Sequence, residues 1–270
     1  MTAWVCATCG VQYADSARPP EACPICDDER QYVPAGGQRW TTLEELAAAG
    51  HRTRFQEQEP GLVGVGVEPE FGIGQRALLV RTPAGNLLWD PPGFLDDEAV
   101  ERVAELGGLA AVSASHPHFY GVHVAWSQAF GGVPVLVPEA DKAWVMRPDR
   151  SVELWSGTRE VLPGVTLVQC GGHFAGSAVV HWRDGADGRG ALLTGDSVTV
   201  VADTRYVSFM RSYPNLIPLP EGEIRHILDA LAPYRYDRVY GGWWPRVVDR
   251  DGEAAVARSA ARYLGWLHGS

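Results

Sequence analysis

The sequence predicts an α/β (α+β) fold, with sheets and helices packed outside them, and a small four-cysteine metal-binding module at its N-terminus. Three observations lead there. Four of the five cysteines fall within the first 26 residues, as "CATC" and "CPIC". From about residue 60 the text turns to short β-rich runs broken by Gly and Pro, the pattern of strands separated by turns. Helical stretches then alternate with strands in two similar halves, which a layered core of sheets and helices explains.

The cysteine cluster comes first. Cys6 and Cys9, then Cys23 and Cys26, keep the C-x2-C spacing, with Gly10 after the first pair. Two such pairs on tight turns offer four thiolates to one zinc or iron ion, and ligand type alone does not choose between the metals. So short a segment needs the metal in order to fold. Residues 1–35 are read as this module and 36–54 as a linker and helix, in which Thr41 is the expected N-cap with Glu44 three residues on and Gly50 at the end. Residues 55–270 form the large domain.

Within it, "LVGVGV", "ALLVRT", the turn "PAGN" and "LLWD" read as a β-meander. A helix at "DDEAVERVAEL", a buried strand, a helix at "VHVAWSQAF" and a strand at "VPVLVP" follow. The second half supplies strands "VTLVQC", "AVVHW" and "ALLTGD", the polar turn "DGADGRG", and helices near "GEIRHILDALA" and "EAAVARSAARYLGWL".

Bulk properties narrow the function. With 23 Lys and Arg against 33 Asp and Glu the net charge is −10, and no run of cations is present, so a nucleic-acid partner is not expected. A small neutral or cationic substrate, or a protein, fits better. No apolar stretch approaches the ~20 residues of a membrane span, so no membrane partner is expected. The start "MTAWVCATCG" has no secretory pattern, which makes the cytoplasm the expected compartment and metal binding the expected fate of the paired cysteines.

The candidate site lies at strand ends. His116 and His118 in "SASHPHFYGVH" follow a predicted strand, His173 in "GGHFAGS" follows "VTLVQC", and Asp196 in "LLTGDS" follows "ALLTG". Ligand-type residues at successive strand termini point to one convergent site. Tyr206, Phe209, Met210 and Tyr213, in the long aromatic stretch after Asp196, are expected to wall a pocket or to cover the second sheet. Cys170 reads as a small buried hydrophobe, and His51, His181, His226 and His268 have no visible partners.

These motifs, in the order "ALLVRTPAGNLLWDPPG", "SHPHFYG", "GGHFAGS", "LLTGD" and "VYGGWWP", resemble the metallo-β-lactamase fold superfamily over residues 55–270. The resemblance implies an αββα sandwich with metal at one edge of two sheets, and corresponds to H-x-H-x-D-H, G-H-T-x-G-S, T-G-D and terminal P-G-H motifs. Departures accompany it. Tyr120 and Gly121 stand where the family has Asp and His, and Trp243 stands at its last His. The second metal position thereby loses its ligands, and the three-histidine position with Asp196 remains. His123 is two residues out of register on a helix, which turns it to about the opposite face. The N-terminal stretch "WVCATCGVQYADSARPPEACPIC" is similar to the rubredoxin-like domain of rubrerythrins and to zinc ribbons.

The expected function is a metal-dependent hydrolase with a single zinc on three histidines. The ion's open position lowers the pKa of water toward ~7 for attack on an ester, lactone, thioester or amide carbonyl of a small molecule. Asp196 serves as ligand or base, Tyr120 as a hydrogen-bond donor, and Tyr206, Phe209, Tyr213 and Trp243 as substrate contacts. The alternative is a mononuclear iron oxidoreductase using His116, His173 and Asp196, with the cysteine module as electron donor. A second alternative is a non-catalytic metal-binding protein. Zinc is the expected ion at both centres, and iron the alternative at each.

Overall fold

The computed structural model describes residues 1–269. The first seven-stranded sheet contains β3 (Arg52–Glu59), β4 (Leu62–Glu68), β5 (Ala77–Thr82), β6 (Gly85–Trp89), β7 (Ala111–Ser113), β8 (Val135–Pro138) and β9 (Val152–Trp155), neighbours in sequence being neighbours in space. It is antiparallel from β3 to β6 and parallel from there to β9. The second sheet has the order β10 (Thr158–Leu162), β11 (Val165–Gln169), β12 (Ala178–Trp182), β13 (Ala191–Leu193), β18 (Arg238–Tyr240), β19 (Val247–Val248). Between β13 and β18 run two short hairpins, β14 (Thr199–Val200) with β15 (Val207–Ser208), and β16 (Met210–Ser212) with β17 (Ile217–Pro218).

Alternation along each strand builds the layers. Leu78, Val80, Leu87 and Trp89 face the second sheet and pack on Leu167, Val180, Trp182 and Leu193. Their neighbours Leu79 and Leu88 point the other way, toward Ala99 and Val103 of the helix Asp97–Glu105 and Trp126 of the helix His123–Ala129. On the far side, Val179, Leu192 and Val239 pack on Ile224 and Ile227 of the helix Glu221–Leu231 and on Val256 and Ala260 of the helix Gly252–His268. Period-two burial on both faces of both sheets requires helix cover outside them, and the result is an αββα sandwich. Among the described residues no helix is long and apolar enough to cross a membrane.

The N-terminal residues close on themselves through β1 (Val5–Cys6) paired with β2 (Trp40–Thr41). That pairing takes Thr41 into a strand, and the N-cap passes to Thr42, whose hydroxyl accepts from Glu45 N at 3.1 Å. The stretch read as linker thus contributes β2, and β3 begins inside it at Arg52. The strand β3 escapes a periodicity search because Phe55 is its one apolar residue. The module docks on the first sheet's helical side. Gln12 N donates to Gly121 O and Ala14 N to Met146 O, each at 3.0 Å.

Candidate metal centre

Two groups of ligand-type side chains converge. The first is Cys6, Cys9, Cys23 and Cys26, all buried, with Sγ atoms 3.7 Å apart in the pairs Cys6–Cys26 and Cys9–Cys23. Four sulfurs about 2.3 Å from a tetrahedral ion stand about 3.8 Å from one another, so the cage fits one metal ion. Tyr13 Oη donates to Cys23 Sγ at 2.9 Å and Gln38 Nε2 to Cys6 Sγ at 3.0 Å. These bonds favour the thiolate forms that bind metal.

The second group is His116, His118, His173 and Asp196, whose ligand atoms all lie within 4.8 Å of one another. Each follows the C-terminal end of a strand: the histidine pair after β7, His173 after β11, Asp196 after β13. Asp90, after β6, accepts from Ser115 N through Oδ1 at 2.6 Å, and Ala178 N donates to Ser115 O. The turn that presents His116 is thereby fixed from both sheets. Ser115 Oγ lies 2.9 Å from His116 Nδ1, and His173 Nδ1 lies 3.1 Å from the Met210 carbonyl. A carbonyl only accepts, so His173 carries its proton on Nδ1 and turns the lone pair of Nε2 inward.

There His173 Nε2 stands 3.4 Å from His118 Nδ1, and Asp196 Oδ2 stands 3.6 Å from His116 Nε2 and 3.9 Å from His173 Nε2. Nitrogens about 2.0–2.1 Å from a tetrahedral ion are about 3.3 Å apart. His116 Nε2 is buried without a hydrogen-bond partner among the described residues, an expensive state that a cation relieves. The residues present therefore fit a metal ion.

Burial keeps all three imidazoles neutral. It pushes His116 and His118 well below the usual histidine range and His173 down to about 4, the protonation state ligation needs. Burial also raises Asp196 to about 7, opposed by the Thr199 hydroxyl, which donates to Oδ1 at 3.0 Å; a cation held beside it favours the ionised form.

The positions that depart from the family motif are closed to ligands. A Cβ on Gly121, at φ +47°, would stand 2.2 Å from the Pro91 carbonyl oxygen. Tyr120 is 1% exposed, its hydroxyl has no partner among the described residues, and its ring packs edge-on against His123. It does not line the cavity at the site. His123 itself is held by Tyr120 O at 2.9 Å and stands outside the ligand group. Trp243 donates from Nε1 to Ile73 O and packs edge-on against Phe119.

A cavity of about 390 Å³ opens onto His118 and Asp196. Of the four expected substrate contacts, Tyr213 and Trp243 line it. Phe209 instead points into the core of the second sheet against Tyr263, and Tyr206 lies under the guanidinium of Arg262, 3.8 Å from its ring centroid. The hairpins turn these two side chains away from the cavity. Tyr213 Oη also donates to Asp196 O at 3.1 Å. Cys170 is buried among apolar groups, with its thiol pushed up to about 12. His181 and His268, which the sequence left without partners, meet Arg235 O and Glu221 Oε2, each at 2.9 Å.

The other wall was not foreseen. Thr8, between Cys6 and Cys9, lines the cavity together with Arg30, Gln31 and Tyr32, so the cysteine module stands directly over the histidine site. Arg30 donates from Nε to His173 O at 2.7 Å and lies 4.2 Å over the Phe174 ring. Nothing local in the sequence around Arg30 signals this.

Sandwich, strand-end ligands and cysteine cage together define a metal-binding protein with the metallo-β-lactamase fold. The DIM-1 metallo-β-lactamase matches it with a TM-score of 0.59 at 14% identity, over 78% of this chain and 97% of that one. FIM-1 from Pseudomonas aeruginosa, in a mono-zinc form, matches with a TM-score of 0.57 at 15% identity, over 78% and 95%. No family model matches the sequence. At 44% identity over 99% of its length and 98% of the relative's, the chain belongs to the same family as a Bacillus subtilis (strain 168) protein described as "Uncharacterized protein YmaE".

Proposed function

We propose that the protein is a metal-dependent hydrolase that uses one zinc ion, held by His116, His118, His173 and Asp196, to open a carbonyl derivative of a small molecule. The observation that carries the reading is the convergence of three neutral, buried imidazoles and one carboxylate at the floor of a cavity. When bound, the ion supplies Lewis acidity and makes water more acidic at neutral pH. A single ion is favoured because Tyr120, Gly121 and Trp243 occupy the positions a second would need, and Gly121 has no room for a side chain.

The protein's own groups do the rest. Ser115 and Met210 O orient His116 and His173. Asp196 is aimed by Thr199, and its free Oδ2 completes the ligand set or holds a proton in the cavity. Tyr213 braces the turn that carries Asp196, and Trp243 supplies an apolar wall.

The test is turnover of p-nitrophenyl acetate, a γ-lactone and an acyl thioester by zinc-loaded protein, beside Asp196→Asn and His116→Ala. Loss of zinc-dependent turnover in both variants supports the reading. Absence of turnover in the zinc-loaded protein on all three classes counts against it.

One observation favours a second reading. Thr8 of the cysteine knuckle and His118 line the same cavity, a placement that suits electron donation to an iron ion on His116, His173 and Asp196. Red protein with cysteinyl-iron absorption would select it; colourless protein with two zinc ions would select the hydrolase.

A further inference from the structure

We infer that Arg30 is the anion-recognition residue of the cavity and that the substrate carries a carboxylate. The inference rests on the hydrolase reading only in taking this cavity as the substrate site.

Arg30 is the sole Arg or Lys among the described residues lining the cavity. Its guanidinium is fixed by three contacts: Nε donates to His173 O at 2.7 Å, Nη1 to Asp28 Oδ1 at 2.7 Å, and the Phe174 ring lies 4.2 Å beneath Cζ. The side chain retains 13% exposure, and Nη2 has no hydrogen-bond partner among the described residues. One arm of the guanidinium therefore remains a donor for a ligand. A planar donor that is already oriented loses little freedom when it receives a carboxylate.

The rest of the lining sets the size of the charge. Asp28, outside the lining, already shares the guanidinium, and Glu70 and Asp196 place two carboxylates in the lining itself. Those carboxylates disfavour dianions such as phosphate esters, and the one unpaired arm, Nη2, suits a single carboxylate. The net charge of −10 led to the expectation of a neutral or cationic substrate. The oriented donor at contact distance, rather than the summed charge of the chain, sets the preference here, because distant surface charges are screened.

The experiment is calorimetric titration of full-length, metal-loaded protein with benzoate and with benzamide, its neutral isostere, alongside Arg30→Gln and Arg30→Lys. Metal content is measured in parallel. Benzoate should bind the native protein at least about tenfold more tightly than benzamide, as a charge-assisted bond implies. The preference should vanish in Arg30→Gln and partly return in Arg30→Lys. Equal binding of the two probes, no benzoate binding, or undiminished benzoate binding by Arg30→Gln overturns the inference.

Because Arg30 also braces His173, Arg30→Gln could shed the neighbouring metal. His173→Ala separates the causes, since it keeps Arg30 and removes a ligand. A benzoate preference that survives there supports the arginine, and one that disappears assigns the anion to the metal and overturns the inference. Turnover of the three substrates without a benzoate preference removes the anion site alone. A preference without turnover removes the hydrolase and leaves the anion site.

Discussion

Arg30, four residues beyond Cys26, donates a 2.7 Å hydrogen bond to the backbone carbonyl of His173 and so joins the two candidate metal centres through one side chain. The joint is reinforced. Ser212 Oγ donates to Arg30 O at 3.2 Å, and Asn215 Nδ2 donates to Glu29 O and Gln31 O at 2.8 and 2.9 Å. Both donors sit on the β16–β17 segment, whose Met210 carbonyl holds His173 Nδ1. The third imidazole is therefore gripped on both sides by chain tied to the cysteine cage.

Loss of metal at the cysteines should consequently be felt at the histidines. Cys26→Ser is expected to weaken metal binding at the histidine site by about 10–100-fold, the usual effect of loosening a ligand's supporting contacts. Competition with a chromophoric chelator reads this directly. An unchanged affinity would mean that strap 28–31 keeps its place without the cysteine-bound ion.

The converse should not hold. His116→Ala or His173→Ala is expected to release the ion of the large domain while the cysteine-bound ion stays, because Cys6, Cys9, Cys23 and Cys26 form a complete cage by themselves. Metal analysis per chain should fall from two to one. Retention of two ions in either variant would show that these histidines are not ligands.

Ser115 and Gly195 form a second point of support. Ser115 Oγ contacts His116 Nδ1, and a Cβ on Gly195, at φ +54°, would stand 2.1 Å from that same oxygen. Ser115→Ala should weaken metal binding about tenfold with little change in folding. Gly195→Ala should displace Ser115 and His116 together and also cost about 1–2 kcal/mol for the left-handed backbone. Urea denaturation and metal titration of the two variants separate these effects, and near-native metal affinity in Gly195→Ala would contradict the packing described.

Two buried titratable groups outside the ligand sets, His123 and Asp90, give opposed pH dependences. Burial depresses His123 to about 4, so it stays neutral in the fold while the unfolded chain takes up a proton near 6.5. Its contribution is present above that value and is lost as pH falls toward about 4, to the extent of about 3 kcal/mol. His123→Gln should therefore gain stability relative to the native chain over that fall.

Asp90 has the other sign. Burial raises it to about 8, so the fold holds a proton that the unfolded chain releases near 4. Its contribution is present at low pH and is lost as pH rises to about 8. Asp90→Asn keeps a carbonyl for Ser115 N and should gain relative stability over that rise. Chemical denaturation of the metal-loaded protein across pH 4–9 checks both, and parallel curves for variants and native chain would refute them.

How much of this was legible depends on the range of the interaction involved. The two C-x2-C pairs, the H-x-H pair, and His173 and Asp196 just past apolar runs are local patterns, since a strand end fixes where the next few side chains emerge. Period-two alternation in "ALLVRT" likewise settled the layering, with Leu78 and Val80 facing one way and Leu79 the other. By contrast, Phe209 and Tyr213 sit four residues apart in the same irregular stretch, yet one enters the core and the other lines the cavity. No periodicity distinguishes them, because hairpins without a regular face orient side chains by what packs against them.

The sequence by itself thus determined the candidate ligands and the strand ends that present them. Tertiary structure alone decided that the cysteine module roofs the histidine site and delivers Arg30 into it. Local geometry sets a spacing of two or three residues, whereas the contact between Arg30 and His173 spans 143 residues and exists only once the sheets, the hairpin and the cysteine cage have packed together.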